Sequence, residues 1–549
     1  MAADTSDAFP LLSEAEMAAL GQLGVRRAVA AGEYLYREGD PTYDFYVVLS
    51  GAVEIVVNAD GEERLIARHP AGRFLGELNL LTGQRVYVSA RVVEPGEMLV
   101  LSRDAFRRVI ATDPGLSEKI LASFLARREI LMSGAASSIR VIGSRFSPDS
   151  ARVREFLSRS RIPHEWLDAD DSEVGHFLRE FEIATQDLPV VIVTGTVLRR
   201  PTPDVLAKYL GLTVGKLPDR SFDLIVVGAG PAGLAAAVYG ASEGLRTLVL
   251  DMVAVGGQAG ASSRIENYLG FPTGISGGDL TQRATIQAQK FGASLSIPCT
   301  AVSLREEAGA GHFVLRLSDG TDVAGRAVIV ATGARYRKLD AVGLERFESR
   351  GVYYAATELE ARSCARSPVV VAGGGNSAGQ AALFLASAGA VTIVIRGPDL
   401  AASMSRYLVD RIEADKRIVV RRNTRIVALE GDQSLSGVRI SGPGGEEAIP
   451  SAGLFSFIGA DPASEWLSGF AALDNRGFVL TDRYLGREEL TGSWEALGRS
   501  PLPFETSHPG LFAVGDVRSG STKRVAAAVG EGSAAVRSVH AYLAFDRQA

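Results

Sequence analysis

Two stretches of this chain repeat one pattern: an apolar run, a glycine turn and an alanine-rich run. The first, FDLIVVGAGPAGLAAAVYGASEGLRTLVLD, carries Gly228, Gly230 and Gly233 straight after its apolar run, and Asp251 closes the next apolar run 18 positions beyond Gly233. The second, SPVVVAGGGNSAGQAALFLASAGAVTIVIRG, has Gly373, Gly375 and Ala378 in the same places, with Asn376 and Ser377 between the last two. Few sequence features restrict a fold so tightly. The first glycine permits a sharp turn out of a strand, the second lets the backbone approach a pyrophosphate, and a small third residue lets helix pack on strand. The helix N-terminus then stabilises the anion. Two copies predict two Rossmann-like α/β domains, each built for a dinucleotide.

The units differ at the end of their second strand. Asp251 offers a carboxylate to ribose hydroxyls, whereas the second unit ends in Arg396, which favours a 2′-phosphate through charge-assisted hydrogen bonds. NADPH is therefore the expected ligand of the second unit, with NADH possible and a solvated strand end the plain alternative for Arg396. Arg406 in SMSRYL is a second candidate phosphate partner.

The rest of the chain divides by its patterning. Residues 30–105 read as short strands broken by turn signals, with Asp60-Gly61 and Pro95-Gly96 as hairpin turns, and a helical tail runs from Asp104 to about Leu131. This is a small β-roll. Residues 138–213 alternate strand and helix as a compact α/β unit, and the polar stretch 215–221 reads as a linker. The expected architecture is multidomain: 1–135 a β-roll with its tail, 138–214 a small α/β domain, 221–338 with 457–549 one Rossmann-like domain, and 339–456 the other.

With 46% hydrophobic residues the chain suits ordered folds, and a net charge of −6 with pI ≈ 5.7 provides no positive field for nucleic acid. No apolar run approaches the roughly 18 residues that span a bilayer, and the acidic start is unlike a signal peptide, so a cytoplasmic protein is expected. Only Cys299 and Cys364 are present, 65 positions apart, and the six histidines lack metal-ligand spacing. The run 406–425 is locally basic and reads as a solvated face.

Further motifs follow the first fingerprint: GGQ at 256–258, IENYLGFP at 265–272, ATGA at 331–334, FIGADP at 457–462 and PGLFAVGDV at 509–517. With the two fingerprints, in this order, they make residues 222–549 resemble the low-molecular-weight thioredoxin reductases, a branch of the flavoprotein disulfide reductases. The resemblance implies that Gly228, Gly230, Gly233, Asp251, Gly257, Gln258, Asn267, Thr332, Gly333, Gly515, Asp516, Arg524, Val525 and Ala526 hold FAD. Gly373, Gly375, Asn376, Ser377, Ala378, Arg396 and Arg406 would hold NADPH. It also implies a homodimer whose nicotinamide domain swings to present NADPH or a dithiol to the flavin. The dithiol is where this chain departs: Ala355 and Glu358 stand where the family has its Cys-x-x-Cys, and Cys364 reads as a buried structural residue.

Two N-terminal resemblances complete the reading. RVIGSRFSPDSARVREFL and DLPVVIV, with Pro189 at the family's cis-proline, resemble a thioredoxin or glutaredoxin domain in which Ser147 and Ser150 replace both cysteines. Serine cannot exchange disulfides, and Ser150 is placed as a helix N-cap. RFLGELNLLTGQRVYVSARV resembles the phosphate cassette of a cyclic-nucleotide-binding domain, with Gly76, Glu77 and Leu78 at its head. Val86 falls where the family has its arginine, so Arg85 is the candidate phosphate partner. A purely structural or docking roll stays open beside nucleotide binding. The expected function is an FAD-dependent NAD(P)H oxidoreductase passing electrons to an acceptor other than an internal dithiol: a quinone, a small redox protein, oxygen or an external disulfide. A low-turnover sensor, or a thioredoxin reductase with an atypical thiol, are the alternatives.

Overall fold

The computed structural model describes residues 5–59, 62–132, 139–145, 147–171, 174, 178, 183–193, 195–213, 221–307, 312–348, 350–364, 367–490 and 493–546. The chain forms two compact units, one of residues 1–145, 152–218 and 286–298, the other of 146–151, 219–285 and 299–549.

In the first unit eight short strands make the roll: β1 (Val25–Val29), β2 (Tyr34–Tyr36), β3 (Phe45–Val48), β4 (Ala52–Ala59), β5 (Glu62–Pro70), β6 (Phe74–Leu75), β7 (Ser89–Glu94) and β8 (Gly96–Leu101). They form two antiparallel sheets, β1-β8-β3-β6 and β2-β7-β4-β5, which share one apolar core. The expected hairpin at Pro95-Gly96 is instead a corner, because β7 pairs with β4 while β8 crosses to β1 and β3 in the other sheet. Gly96 is needed there, since a Cβ would lie 2.1 Å from the Ser50 carbonyl oxygen. Asp60-Gly61 and most of the 215–221 linker lie outside the described residues.

The short helix α1 (Asn79–Thr82) interrupts the cassette, and α2 (Arg103–Thr112) and α3 (Pro114–Met132) form the tail. Ser102 caps α2, its Oγ accepting from the Ala105 N–H at 3.3 Å. From α3, two arginines reach into the roll. Arg128 pairs with both carboxylate oxygens of Glu77, one contact at 2.6 Å, and also donates to Asn79 Oδ1 and Gln84 Oε1. Both members are buried, Arg128 at 2% exposure and Glu77 at 7%. Arg127 donates to the carbonyls of Ala8, Phe74 and Gly76 at 2.6–3.1 Å.

The α/β segment sets β9 (Ile139–Gly143) between β10 (Glu165–Asp168), parallel to it, and β11 (Val190–Val193), antiparallel, with β12 (Thr196–Arg199) at the edge. Its helices include α4 (Pro148–Arg159) and α5 (Pro203–Leu210), and the Leu188-Pro189 peptide is cis. Phe156, Leu157, Leu206 and Leu210 belong to the same core as Phe45, Phe74 and Phe124 of the roll, so roll and α/β segment pack as one body. The cap falls at Ser147, whose Oγ accepts from the Ser150 N–H at 3.4 Å, and not at Ser150. Pro148 starts the helix early because its missing N–H costs nothing in the first turn.

Among its described residues the second unit holds two large sheets, a two-stranded ladder and a small antiparallel sheet of β24 (Arg425–Gly431), β25 (Leu435–Gly442) and β26 (Gly445–Pro450). The first has the order β14-β13-β18-β17-β16, with β29 beside β18: β13 (Ser221–Val227), β14 (Thr247–Leu250), β16 (Ala301–Glu307), β17 (His312–Leu317), β18 (Asp322–Val330) and β29 (Leu511–Ala513). Strands β14, β13, β18 and β29 are mutually parallel. Their near-continuous apolar sequences are what a sheet covered on both faces requires. The second sheet, β20-β27-β21-β22-β23, is all parallel: β20 (Val352–Tyr353), β21 (Val369–Ala372), β22 (Val391–Val394), β23 (Ile418–Arg421) and β27 (Gly453–Ser456). The chain passes from one sheet to the other through β19 (Ala334–Tyr336) and returns through β28 (Ala460–Pro462), which pair antiparallel.

Removing one partner of a buried ion pair strands the other, at a cost of about 3–5 kcal/mol. Arg128→Ala is expected to destabilise the roll by that amount, while Glu77→Leu with Arg128→Met restores most of it; native-state hydrogen exchange of the β3 and β4 amides measures both.

Candidate functional site

The first fingerprint lies at the carboxyl edge of the first sheet. Gly228 turns out of β13 with φ +116°, and a Cβ there would lie 2.2 Å from the Ala331 carbonyl oxygen at the end of β18. Gly230 is the N-cap of α6 (Pro231–Ser242), and an added Cβ would meet only the Gly257 Cα, at 3.9 Å. That open space, beside free N-terminal amides, is a cradle for a pyrophosphate. Gly233 makes the opposite contact: a Cβ would sit 1.8 Å from the Gly228 carbonyl oxygen.

The neighbouring edges converge on the same turn. Gly257 opens α7 (Gly257–Gly260), in which Gln258 donates to the Ala334 carbonyl. A Cβ on Gly515 would lie 3.0 Å from that of Ala232 in α6, which brings Gly515 and Asp516 to the fingerprint. Thr332 Oγ1 donates to the Ala463 carbonyl at 2.7 Å, and the Gly333 carbonyl accepts from the Ala463 N–H, so this corner is tied to the returning segment. Val525 and Ala526 begin α12 (Val525–Asp546), with Arg524 exposed just before it. Asn267 is exposed in its loop.

Asp251 faces the turn, its Oδ2 accepting from the Ala229 N–H at 2.8 Å and its Oδ1 from Val253 and Ala254. These amides hold the carboxylate at the glycine loop, where a ribose hydroxyl would meet it. Burial raises the pKa of Asp516, opposed by the charge of Lys523, whose Nζ donates to the Asp516 carbonyl at 2.6 Å. Three further residues shape this corner, none marked by a local motif. Glu531 on α12 accepts from the Gly515 N–H and pairs with Arg518, fixing the loop. Lys523 is the second. The third is Tyr336 on the crossover strand β19, whose phenol is pushed up to about 12 by burial and then by Asp516.

The second fingerprint repeats the geometry on the second sheet. Gly373 has φ +128°, and a Cβ there would lie 2.3 Å from the Phe457 carbonyl oxygen. Gly375 is the N-cap of α10 (Asn376–Leu385), with nothing within 4 Å of an added Cβ, and Ala378 is buried. Asn376 Oδ1 accepts from the Ser405 N–H at 2.7 Å, which sets the start of α11 (Arg406–Ala414) over the turn. Ser377 is exposed. Arg396 is exposed just past β22, while Arg406 pairs with Asp410 at 2.8 Å. Most other cations of the basic run are paired too, including Arg417 with Asp415 and Arg421 with Glu447.

Ala355 lies between β20 and α9 (Glu358–Ser363), and Glu358 is the first residue of that helix. Cys364 is 3% exposed in the core of the second sheet, and a Cβ on Gly453 would lie 2.6 Å from its Sγ. Burial, then the charge of Glu360, pushes this thiol up to about 11. Cys299 is half-buried, and neither cysteine forms a disulfide.

In the roll, Gly76, Glu77 and Leu78 stand at the head of the cassette, but the Glu77 carboxylate is committed to Arg128. Arg85 points elsewhere: its guanidinium donates to the Gly39 carbonyl at 2.9 Å and lies 5.5 Å from the Tyr209 ring. The Arg85 guanidinium and the Glu77 carboxylate thus have separate partners. Among the described residues no cluster of His, Cys, Asp and Glu could hold a metal ion, and no helix is long and apolar enough to cross a membrane.

Residues 222–532 match the pyridine nucleotide-disulphide oxidoreductase family, and residues 26–113 match the cyclic nucleotide-binding domain. The thioredoxin reductase of Listeria monocytogenes is 31% identical over 329 residues, 59% of this chain and 95% of that protein. That of Mycolicibacterium smegmatis is 34% identical over 326 residues, 59% of this chain and 96% of that protein. Among solved structures, Lactococcus lactis thioredoxin reductase in its FR conformation aligns with TM-score 0.53 at 27% identity, over 59% of this chain and 99% of that one. The T. acidophilum thioredoxin reductase aligns with TM-score 0.52 at 29% identity, over the same shares.

The glycine geometry separates two variants. Gly233→Ala forces a clash of helix on strand and is expected to lose both flavin and local structure. Gly230→Ala meets open space, so it should keep its circular dichroism while its flavin-to-protein absorbance ratio falls. A thiol with a pKa raised this far holds little thiolate near pH 8. Cys364 is therefore expected to resist iodoacetamide in the native protein and to react in urea, which peptide mass spectrometry reads directly.

Proposed function

Because this chain belongs to the pyridine nucleotide-disulphide oxidoreductase family, whose thioredoxin reductases use FAD and NADPH, we propose that it takes electrons from NADPH and delivers them to an acceptor other than an internal dithiol. The bound cofactors supply the chemistry, hydride passing from the nicotinamide to the flavin. The protein supplies position and charge. The Gly228–Gly233 turn and the α6 N-terminus receive one pyrophosphate, with Asp251 held by backbone amides for the ribose. The Gly373–Ala378 turn and the α10 N-terminus receive the other, and Arg396 stands free at the strand end to meet a 2′-phosphate. Glu531 and Lys523 hold the Gly515-Asp516 loop against the first site.

One observation carries the departure from a thiol relay. The chain has two cysteines, and Cys364 is sealed in the second sheet's core with its thiol held protonated. An internal disulfide at the family position, aligned here on Ala355 and Glu358, cannot form. An acceptor must then meet the reduced flavin itself, and the classes to distinguish are a quinone, a small redox protein, oxygen and an external disulfide. The small α/β domain, with serines at 147 and 150, is on this reading a Cys-less thioredoxin-like fold kept for packing. A homodimer belongs to the proposal on resemblance alone.

Replacement of both cysteines by serine is expected to leave NADPH-driven reduction of a quinone-like dye within about twofold of the parent; loss of turnover would restore a thiol route. Charge-assisted hydrogen bonds are worth about 1.5–3 kcal/mol. Arg396→Ala should therefore raise KM for NADPH about tenfold or more, with kcat and the NADH reaction little changed. If anaerobic NADPH fails to bleach the flavin, the enzyme reading itself is lost.

A further inference from the structure

The roll holds a partly open cavity of about 40 Å³ between its sheets and α3. Ile55 and Leu75 from the strands, Val88 just before β7, Leu131 from α3, and Phe9 form its apolar wall. Small-molecule pockets usually measure about 300–1,000 Å³, so a nucleotide does not fit this one as it stands. The space suits about three water molecules, but each water needs two to four polar partners, and these walls offer few.

The polar groups on the wall are unevenly satisfied. His69 is 1% exposed, and its Nδ1 is buried with no hydrogen-bond partner. Burial and the nearby Arg127 and Arg73 charges push this imidazole well below its ordinary range. Arg127 also lines the cavity. Its guanidinium bonds three carbonyls and lies 4.7–6.0 Å from the rings of Phe9, Phe74 and Phe124, but among the described residues no carboxylate pairs with it. Glu77 is the carboxylate on this wall, and its two oxygens go to Arg128 and to the Asn79 N–H. Two buried guanidiniums thus lie in the roll with one carboxylate, and it pairs with Arg128. A buried charge is costly unless paired.

We propose that this cavity binds a small monoanion with an apolar body, of the short-chain carboxylate class, with its charge on Arg127 and His69 and its alkyl part against Ile55, Val88 and Leu131. An incoming carboxylate would balance the second guanidinium and give the His69 nitrogen a partner. The same geometry withholds the site from a cyclic nucleotide, because the ribose-binding candidate Glu77 is already occupied.

The test is calorimetry on the full-length protein with sodium isobutyrate as probe, alongside isobutanol, cAMP and cGMP, with His69 ring resonances followed by NMR. Saturable binding of isobutyrate that shifts His69 is expected, with isobutanol at least tenfold weaker. Arg127→Met should weaken isobutyrate by at least tenfold. Ala67→Leu, which fills the cavity and leaves Arg127 and His69 in place, should abolish the binding and serves if Arg127→Met does not fold. Equal binding of isobutanol, a response that does not saturate, binding that survives Ala67→Leu, or saturable binding of cAMP or cGMP would each overturn the proposal.

Discussion

At Gly228 the backbone leaves its strand so close to the next that a Cβ would lie 2.2 Å from the Ala331 carbonyl oxygen, and at Gly233 a Cβ would lie 1.8 Å from the carbonyl of Gly228 itself. These approaches let α6 start tight against the sheet with its N-terminal amides aimed past Gly230 into open space. The rest of the site hangs on that start: Gly515 packs on Ala232, Glu531 ties the Gly515 amide, and Thr332 links the sheet's edge to the segment returning from the second sheet. The second sheet repeats the arrangement at Gly373 and Gly375. Both cradles open at the carboxyl ends of parallel strands, where helix N-termini gather.

Between these two sites the chemistry is constrained by what is buried. Cys364 occupies the core of the second sheet, where low polarity disfavours a thiolate, and the family's cysteine positions carry Ala355 and Glu358. On the proposed reading, electrons entering the first sheet's cofactor find no neighbouring pair of cysteines in this chain to relay them. The amino-terminal unit follows the same logic of commitment. Arg128 gives its guanidinium to Glu77, and Arg127 donates to three carbonyls, so both arginines tie α3 to the roll.

Much of this was legible in the residues. The fingerprints, the acid at Asp251, the arginine at Arg396 and the strand-turn-helix order are local, because a turn's backbone and the helix it starts are decided within a few positions. The errors were equally local in kind. The cap fell at Ser147 because Pro148 suits a helix's first turn better than the position before it. Pro95-Gly96 was a corner and not a hairpin because β7 and β8 find partners in different sheets, which turn chemistry cannot reveal. Arg85 stands in the cassette by its place in the chain, and the fold sets its guanidinium against Gly39 and Tyr209, which chain position does not disclose.

The sequence by itself determined that two dinucleotide cradles exist, which residues line their turns, and that no pair of nearby cysteines is available, because each of these is a matter of spacing along the chain. Only the tertiary structure decided that Glu77 faces Arg128 from 51 positions away, that Glu531 holds Gly515, that Cys364 is sealed, and that His69 and Arg127 share one apolar cavity. Such pairings depend on burial and on contacts between distant elements, and charge pairing acts through space, indifferent to the order in which residues are strung.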